Sequence, residues 1–424
     1  MKRTSPWQDD AGLFKHGTLM MAGTLAGAVC NAGFHMVVGR TLKGGGAEYG
    51  ALVAMMGLIL TVTTPMLAVQ NTLAHFISRL QKENRREEIR GFFLHWVRIF
   101  LWISLGIVAG AFLLRSPLSR FWPGVEERLV VVTFIVLAGS LWMSLFNGLW
   151  QGTQSFVWLA FAPQSWGLVR LGLGGVFTAF ISATALAAVY AQGAGVLVVV
   201  VLGILFFLHL DFPTGPGRGA PHETYRYLGS ALVCLAGYGV LMNLDTTLAR
   251  HYFDAETAGV FAKAATIART AVFLPVPIAA ALFPKVTSSG ALSTQSWRLL
   301  WRAIGITSLI IAAVVMVCLL LPQVPWMILY GAWQPEEARS AAALTQAMVL
   351  AMMPLSLAYV LLTFEMAQQR FRWGYGLAGC ALGYVVGVGG FHATPLQIPL
   401  VLAISNAVAV LLLLVGIFTR PRTA

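Results

Sequence analysis

Apolar runs of about 20 residues recur along the whole chain, parted by short polar stretches, and a helix of that length crosses the hydrocarbon layer of a bilayer. The segments near 16–38, 50–72, 92–114, 128–149, 156–187, 193–210, 227–248, 258–283, 300–322, 341–364, 373–390 and 396–418 predict about twelve such spans. Runs such as VLVVVVLGILFFL (196–208) do not alternate, which excludes the two-residue period of a membrane β-barrel. The fifth segment is long and contains Pro163, which predicts a kink or an early start; the eleventh is short and glycine-rich. The fold class that follows is all-α, a polytopic membrane protein.

Two polar stretches organise these spans. QKENRREEIRG (81–91) mixes both signs without an apolar face and predicts a solvated turn with helical ends. DFPTGPGRGAPHETY (211–225) is rich in Pro and Gly and lies halfway along the 424 residues. It predicts two bundles of about six helices each, 1–210 and 225–424, joined by a linker at 211–224. An internal echo supports that division. Near Val37 and again near Thr246 a helix ends at an arginine, Arg40 or Arg250, and an Ala-Glu pair leads to Gly50 or Gly259 at the next helix. Glu48 and Glu256 could cap free N–H groups there, and the two glycines permit close helix approach. Pro65, Pro163, Pro275 and Pro277 are places for bends, moving or static. Parallel repeats of this kind enclose a central cavity and can rock about it.

Charge gives the orientation. The chain holds 28 Lys and Arg against 16 Asp and Glu, a net +12, yet only 10% of it is charged and 58% is hydrophobic. A soluble protein carries about a quarter charged residues. With both termini inside, 17 of the 28 cations fall on the inner side, 7 outside, and four within or at the edges of spans. This predicts cytoplasmic termini and basic loops facing anionic lipid. Nucleic acid is not expected, because no aromatic–basic interleaving builds a strand-binding groove. The start, MKRTSPWQDDAGLFKHG, has no cleavable-leader pattern, so the first span reads as permanent.

Enzyme chemistry finds no foothold. The 4 cysteines lie apart in apolar context and read as small buried hydrophobes. The 8 histidines do not cluster, no HExxH or phosphate-loop motif is present, and GLGG (172–175) falls within a helix. No cofactor, metal or catalytic residue is expected.

Polar residues inside the spans carry the functional expectation, since charge at bilayer depth needs a partner or water. Arg269 lines a wet cavity or ion-pairs between helices, with Asp245 a conceivable partner. Arg170, beside Gln164 and Trp166, either grips a phosphate with two prongs or snorkels to an interface. Arg98 sits close enough to the cytoplasmic edge to snorkel, and Glu365 is the acid of the tenth span. Asn31, Asn147, Gln164 and Asn243 suit sugar hydroxyls, or interhelical hydrogen bonds just as well. Asp245 is also a candidate for a coupling proton or Na+.

GRTLKGGGAEYGALVAMMGLIL with TPMLAVQNTLAHFISR, and NLDTTLARHYFDAETAGVFAKAATIARTAVFLPVPIAAALFPKVT with its Asn243, Asp245, Ala258, Gly259, Phe283 and Pro284, resemble the prokaryotic polysaccharide-biosynthesis flippases of the multidrug/oligosaccharidyl-lipid/polysaccharide exporter superfamily. The resemblance covers the span layout and is sharpest over 35–80 and 240–290. It implies a MATE-like fold of two bundles around a V-shaped cavity. It further implies outward translocation of a lipid-linked saccharide by alternating access, often driven by an ion gradient, in a bacterial inner membrane. Glycosyltransferases or export machinery are the implied partners. The family often carries cavity cations in its first bundle, whereas the first two spans here hold none. That moves the phosphate-binding expectation to Arg170 and Arg269. A drug or organic-cation antiporter of the same fold and a non-transporting scaffold for polysaccharide synthesis are the alternatives.

Overall fold

A computed structural model describes residues 6–44, 46–210, 212, 222–274, 294–331, 338–368 and 370–419. The described residues form helices and no strands: α1 (Pro6–Thr41), α2 (Ala47–Thr63), α3 (Met66–Lys82), α4 (Arg86–Leu113), α5 (Arg115–Phe121), α6 (Glu127–Gly152) and α7 (Phe156–Val176), whose end widens into a π-turn at Phe177–Ile181. There follow α8 (Ala185–His209), α9 (His222–Tyr252), α10 (Ala255–Phe273), α11 (Thr294–Leu320), α12 (Gln323–Tyr330), α13 (Ala338–Ala367), α14 (Tyr375–Gly390) and α15 (Gln397–Phe418). Among the described residues, 9 helical segments are long and apolar enough to cross a membrane, with α2 and α3 together making one of them. The other predicted spans fall on α7, α10 and the 16-residue α14. The molecule is a polytopic helical membrane protein. Pro275, Pro277, Phe283, Pro284 and most of the 211–224 linker lie outside the described residues.

Three local features differ from the periodicity. The second span is broken at Thr64–Pro65: Pro65, at φ −62°, caps α3, which runs on to Lys82. Proline lacks the N–H that would continue the helical ladder. The fifth span ends at Ile181 and α8 begins at Ala185, earlier than the predicted 193. An unbroken apolar run hides this boundary, but extended Ser182 stops one helix and the Thr184 hydroxyl accepts from Ala187 N at 3.4 Å to start the next. The caps expected of the two glutamates are placed differently. Glu48 lies in the first turn of α2, yet its Oε2 accepts from Ala185 N at 2.6 Å, capping α8. Asp254, not Glu256, caps α10, accepting from Glu256 N and Thr257 N at 3.0 Å each. Its carboxyl is held below the usual range, chiefly by the Thr257 N–H.

The polar turn 81–91 shrinks to residues 83–85 between α3 and α4, where Arg79 and Arg85 both bind Glu83 at 2.8 Å. These hydrogen bonds lower the Glu83 carboxyl below its ordinary value, Arg79 foremost. Arg98 is exposed on α4, and the four cysteines are free, three of them buried.

Packing follows the small residues. α1 lies on α7, α7 on α8, α8 on α6, and α6 on α3 and α4. Farther along, α9 packs on α14, and α13 on α10, α11 and α15. Between these groups α2 runs along α9 and α10. Gly50 and Gly259, the equivalent positions of the internal echo, meet there. A Cβ on Gly50 would sit 2.9 Å from Gly259 Cα, and one on Gly259 would sit 2.4 Å from Gly46 O. Only glycine admits such approach. Thr247 Oγ1 donates to Ala54 O at 2.8 Å and Thr246 Oγ1 to Val53 O at 3.4 Å, so α2 and α9 are also stitched through polar atoms.

Candidate functional site

Three of the buried charges, Arg170, Arg269 and Asp245, form two groups joined by a polar seam. In the first, α1 presents Asn31, Phe34 and His35 along one side of a helix, spaced by three and four residues. Arg170 of α7 is almost fully buried beneath this side, at 1% exposure. Its Nη1 donates to Gln192 Oε1 of α8 at 2.9 Å, and its Nη2 donates to Asn31 Oδ1. Its guanidinium carbon lies over two aromatic rings, 4.0 Å from the centre of Phe34 and 4.3 Å from that of Trp166. Such stacking suits a planar, delocalised cation. The described contacts of Arg170 are amides and rings, with no carboxylate, and its Nε and the Trp166 Nε1 are buried without a hydrogen-bond partner. Arg170 does not snorkel: it is enclosed within the bundle.

In the second group, Arg269 of α10 ion-pairs through Nη2 with Asp245 Oδ1 of α9, and its Nε donates to Met242 O at 3.2 Å. The Asp245 side chain is wholly buried, and its Oδ2 has no hydrogen-bond partner. The interhelical ion pair conceived from the sequence is therefore formed, and it offsets the Arg269 charge.

The seam lies between the groups. His35 Nδ1 is 3.0 Å from the Tyr49 hydroxyl of α2. That hydroxyl is 3.3 Å from Thr266 Oγ1 of α10 and 3.4 Å from the Tyr330 hydroxyl of α12. The Lys263 ammonium stands 5.7 Å from the Tyr330 ring and 5.9 Å from Trp326.

The structure thus brings Asn31 and Arg170 together, and Asp245 and Arg269 together. Gln164 lies on α7 against Gly27 of α1, so close that a Cβ there would meet its Oε1 at 1.7 Å. Asn243 is buried, donating to Gly239 O of its own helix at 3.2 Å, with its Oδ1 unsatisfied. Asn147, on α6, is half-buried with an unsatisfied Oδ1, and nothing joins it to either arginine. The sequence reading missed Gln192, Phe34 and the His35–Tyr49–Thr266–Tyr330 seam. Spacing on α1 was the available signal for Phe34 and His35, which share a helix side with Asn31; no local signal marks Gln192.

Comparison with known proteins places this geometry in a fold. No family model matches the chain, and it has no match among curated proteins. Solved structures do match. A multidrug resistance MATE family transporter of the MOP superfamily, in an inward-facing conformation, superposes with a TM-score of 0.70 at 13% identity over 93% of this chain and 96% of that one. A MOP superfamily transporter from Pyrococcus furiosus, described as having a binding pocket of reverse polarity, gives 0.68 at 16% identity over 95% and 94%. The lipid II flippase MurJ, inward closed, gives 0.66 at 11% identity over 95% and 88%. These likenesses are of fold, and the fold is the one the resemblance implies.

Proposed function

We propose that the chain is a membrane transporter that moves a lipid-linked saccharide precursor from the cytoplasmic to the outer leaflet by alternating access. The observation that carries this reading is Arg170, a cation buried in an apolar span whose described contacts include no carboxylate. With Asp245 matched to Arg269, the two groups together keep one positive charge in excess. A phosphate or pyrophosphate is the complementary ligand, and two-pronged guanidinium contact is the natural way to hold it. Asn31, Gln164, Asn147 and Asn243 then supply donors and acceptors for sugar hydroxyls. The fold shared with a lipid II flippase supports the same reading.

The mechanism moves no covalent bond. The head group enters from the cytoplasm while its lipid tail stays in the bilayer. Arg170 exchanges its Asn31 contact for a phosphate oxygen as α1, which packs chiefly on α7, shifts. Residues 1–210 and 225–424 act as the two rocking halves, with 211–224 a cytoplasmic linker. On the orientation given by the basic loops, the Gly50–Gly259 contact lies outside, so the halves are closed on that side. The setting is a bacterial inner membrane with both termini cytoplasmic, beside glycosyltransferases or export machinery.

An organic-cation antiporter would need an acid free to meet its cargo, and Asp245 is engaged by Arg269. The test is translocation of a fluorescent polyprenyl-pyrophosphate saccharide in vesicles. Losing one charged hydrogen-bonding group is expected to slow Arg170→Gln by about tenfold or more. Wild-type rates at matched protein levels would overturn the role of Arg170, and export of cationic dyes in place of the lipid would favour the antiporter.

A further inference from the structure

Two short helices lie on the outer side, on the orientation given by the basic loops: α5 in the connection from α4 to α6, and α12 in the connection from α11 to α13. They end alike. Gly124 follows α5 and Gly331 follows α12, and both glycines sit at φ +75°, a left-handed backbone that other residues rarely adopt. Three residues before each glycine stands a carbonyl of the last helical turn, Phe121 in one and Ile328 in the other. Carbonyls there lack a partner within their own helix.

Both carbonyls are taken by side chains from the opposite half of the chain. Arg40, near the end of α1, donates through Nη2 to Ile328 O at 2.6 Å. His251, near the end of α9, donates through Nδ1 to Phe121 O at 2.5 Å, and its ring stacks on that of Phe121 with centroids 3.9 Å apart. The match extends to the glycines. A Cβ on Gly331 would sit 3.3 Å from Arg40 Nε, and one on Gly124 would sit 3.1 Å from Arg250 Nη2. Arg40 and Arg250 are the paired arginines of the internal echo. Each end has a further anchor. Trp122, buried, donates from Nε1 to Thr247 O of α9 at 3.3 Å, and the Tyr330 hydroxyl donates to Lys263 O of α10 at 3.0 Å, while its ring lies against Gly39 of α1.

We propose that α5 and α12 are a matched pair of outer latches, each closed by a side chain of the opposite half: Arg40 closes α12, and His251 closes α5 with Arg250 packed on its glycine. A donor, above all a cation, is favoured at a helix C-terminus by the carbonyls exposed there. Each half supplies one short helix and one grasping side chain, so closure is reciprocal and outward opening has to break both grips. The latches flank the Gly50–Gly259 contact and hold the same side of the molecule shut.

The latches rest on the rocking of two halves, not on the saccharide, and their experiment uses no substrate. Hydrogen exchange is measured on the full chain in lipid nanodiscs over peptides covering 47–57, 115–124, 255–266 and 323–331. Arg40→Ala removes the grip on α12; His251→Phe keeps a stacked ring but has no N–H to give. Side chains that merely cap would change only their surroundings: 323–331 and 47–57 for Arg40→Ala, 115–124 and 255–266 for His251→Phe. As latches, each variant also speeds exchange across the divide, Arg40→Ala at 115–124 and 255–266, His251→Phe at 47–57 and 323–331. The double variant is expected to exchange about tenfold faster or more at all four. Arg40→Lys, which keeps a charged donor, should restore most of the protection lost in Arg40→Ala. Changes confined to each variant's own surroundings, or a double variant with wild-type exchange at 47–57 and 255–266, would overturn the proposal. Failure of the wild type to move a lipid-linked saccharide while this exchange pattern holds would count against the substrate reading alone.

Discussion

At the level of single residues, the two arginines differ in what their loss exposes. Arg269 and Asp245 neutralise each other, so removing one partner strands a buried charge. Asp245→Asn is expected to destabilise the protein by about 3–5 kcal/mol, and Asp245→Asn with Arg269→Gln to recover most of it. Thermal unfolding in detergent measures both, and a neutral single variant would refute the pairing. Arg170→Lys keeps the charge but loses the flat guanidinium that lies over the Phe34 and Trp166 rings. It is expected to recover only part of the transport lost in Arg170→Gln. Much of this was legible beforehand. Polar residues at membrane depth announce themselves by cost, so Arg170, Arg269, Asp245 and Asn31 could be picked out of the sequence. Their partners were less so. Which amide reaches which guanidinium depends on helix rotation, and Gln192 lies on a helix whose start was misplaced by a hidden threonine cap.

Among the helices, the internal echo proved informative in one respect and misleading in another. Gly50 and Gly259 pack against each other, as their small size suggested, but the neighbouring glutamates do not cap their own helices. The reason is geometric: Glu48 already lies in the first turn of α2, while Asp254 sits one residue ahead of α10 with its carboxylate beneath the free N–H groups. Asp254→Ala is expected to cost about 1 kcal/mol. The Asp254 carboxyl titrates lower in the folded protein than in the unfolded chain. Its stabilisation is therefore present above the usual aspartate range and lost as pH falls through the lowered value. An unfolding series at acid pH, compared between wild type and Asp254→Ala, should show the gap closing. Gly50→Val places branched carbon against the Gly259 backbone, where no side chain can yield. It is expected to part α2 from α10 and raise hydrogen exchange over 47–57 at every pH, whereas Val at Gly106, which has open space beside it, should not.

For the molecule as a whole, apolar run length alone was enough to predict the helical membrane fold, because a bilayer leaves the backbone few alternatives. The contact between α2 and the α9–α10 pair could not be read that way. It depends on which helix faces turn toward each other, which the length of an apolar run does not set. Glu48 carries a mechanical consequence. It belongs to the second helix of the chain yet terminates the backbone of α8, more than a hundred residues later, at 2.6 Å. That bond clamps the first and last portions of residues 1–210 to one another at a single rim. A displacement of α2 would accordingly bear directly on the start of α8. Severing the clamp, as in Glu48→Ala, which has no acceptor, should leave each helix in place while letting the rim yield, so that motion at one edge no longer reaches the other.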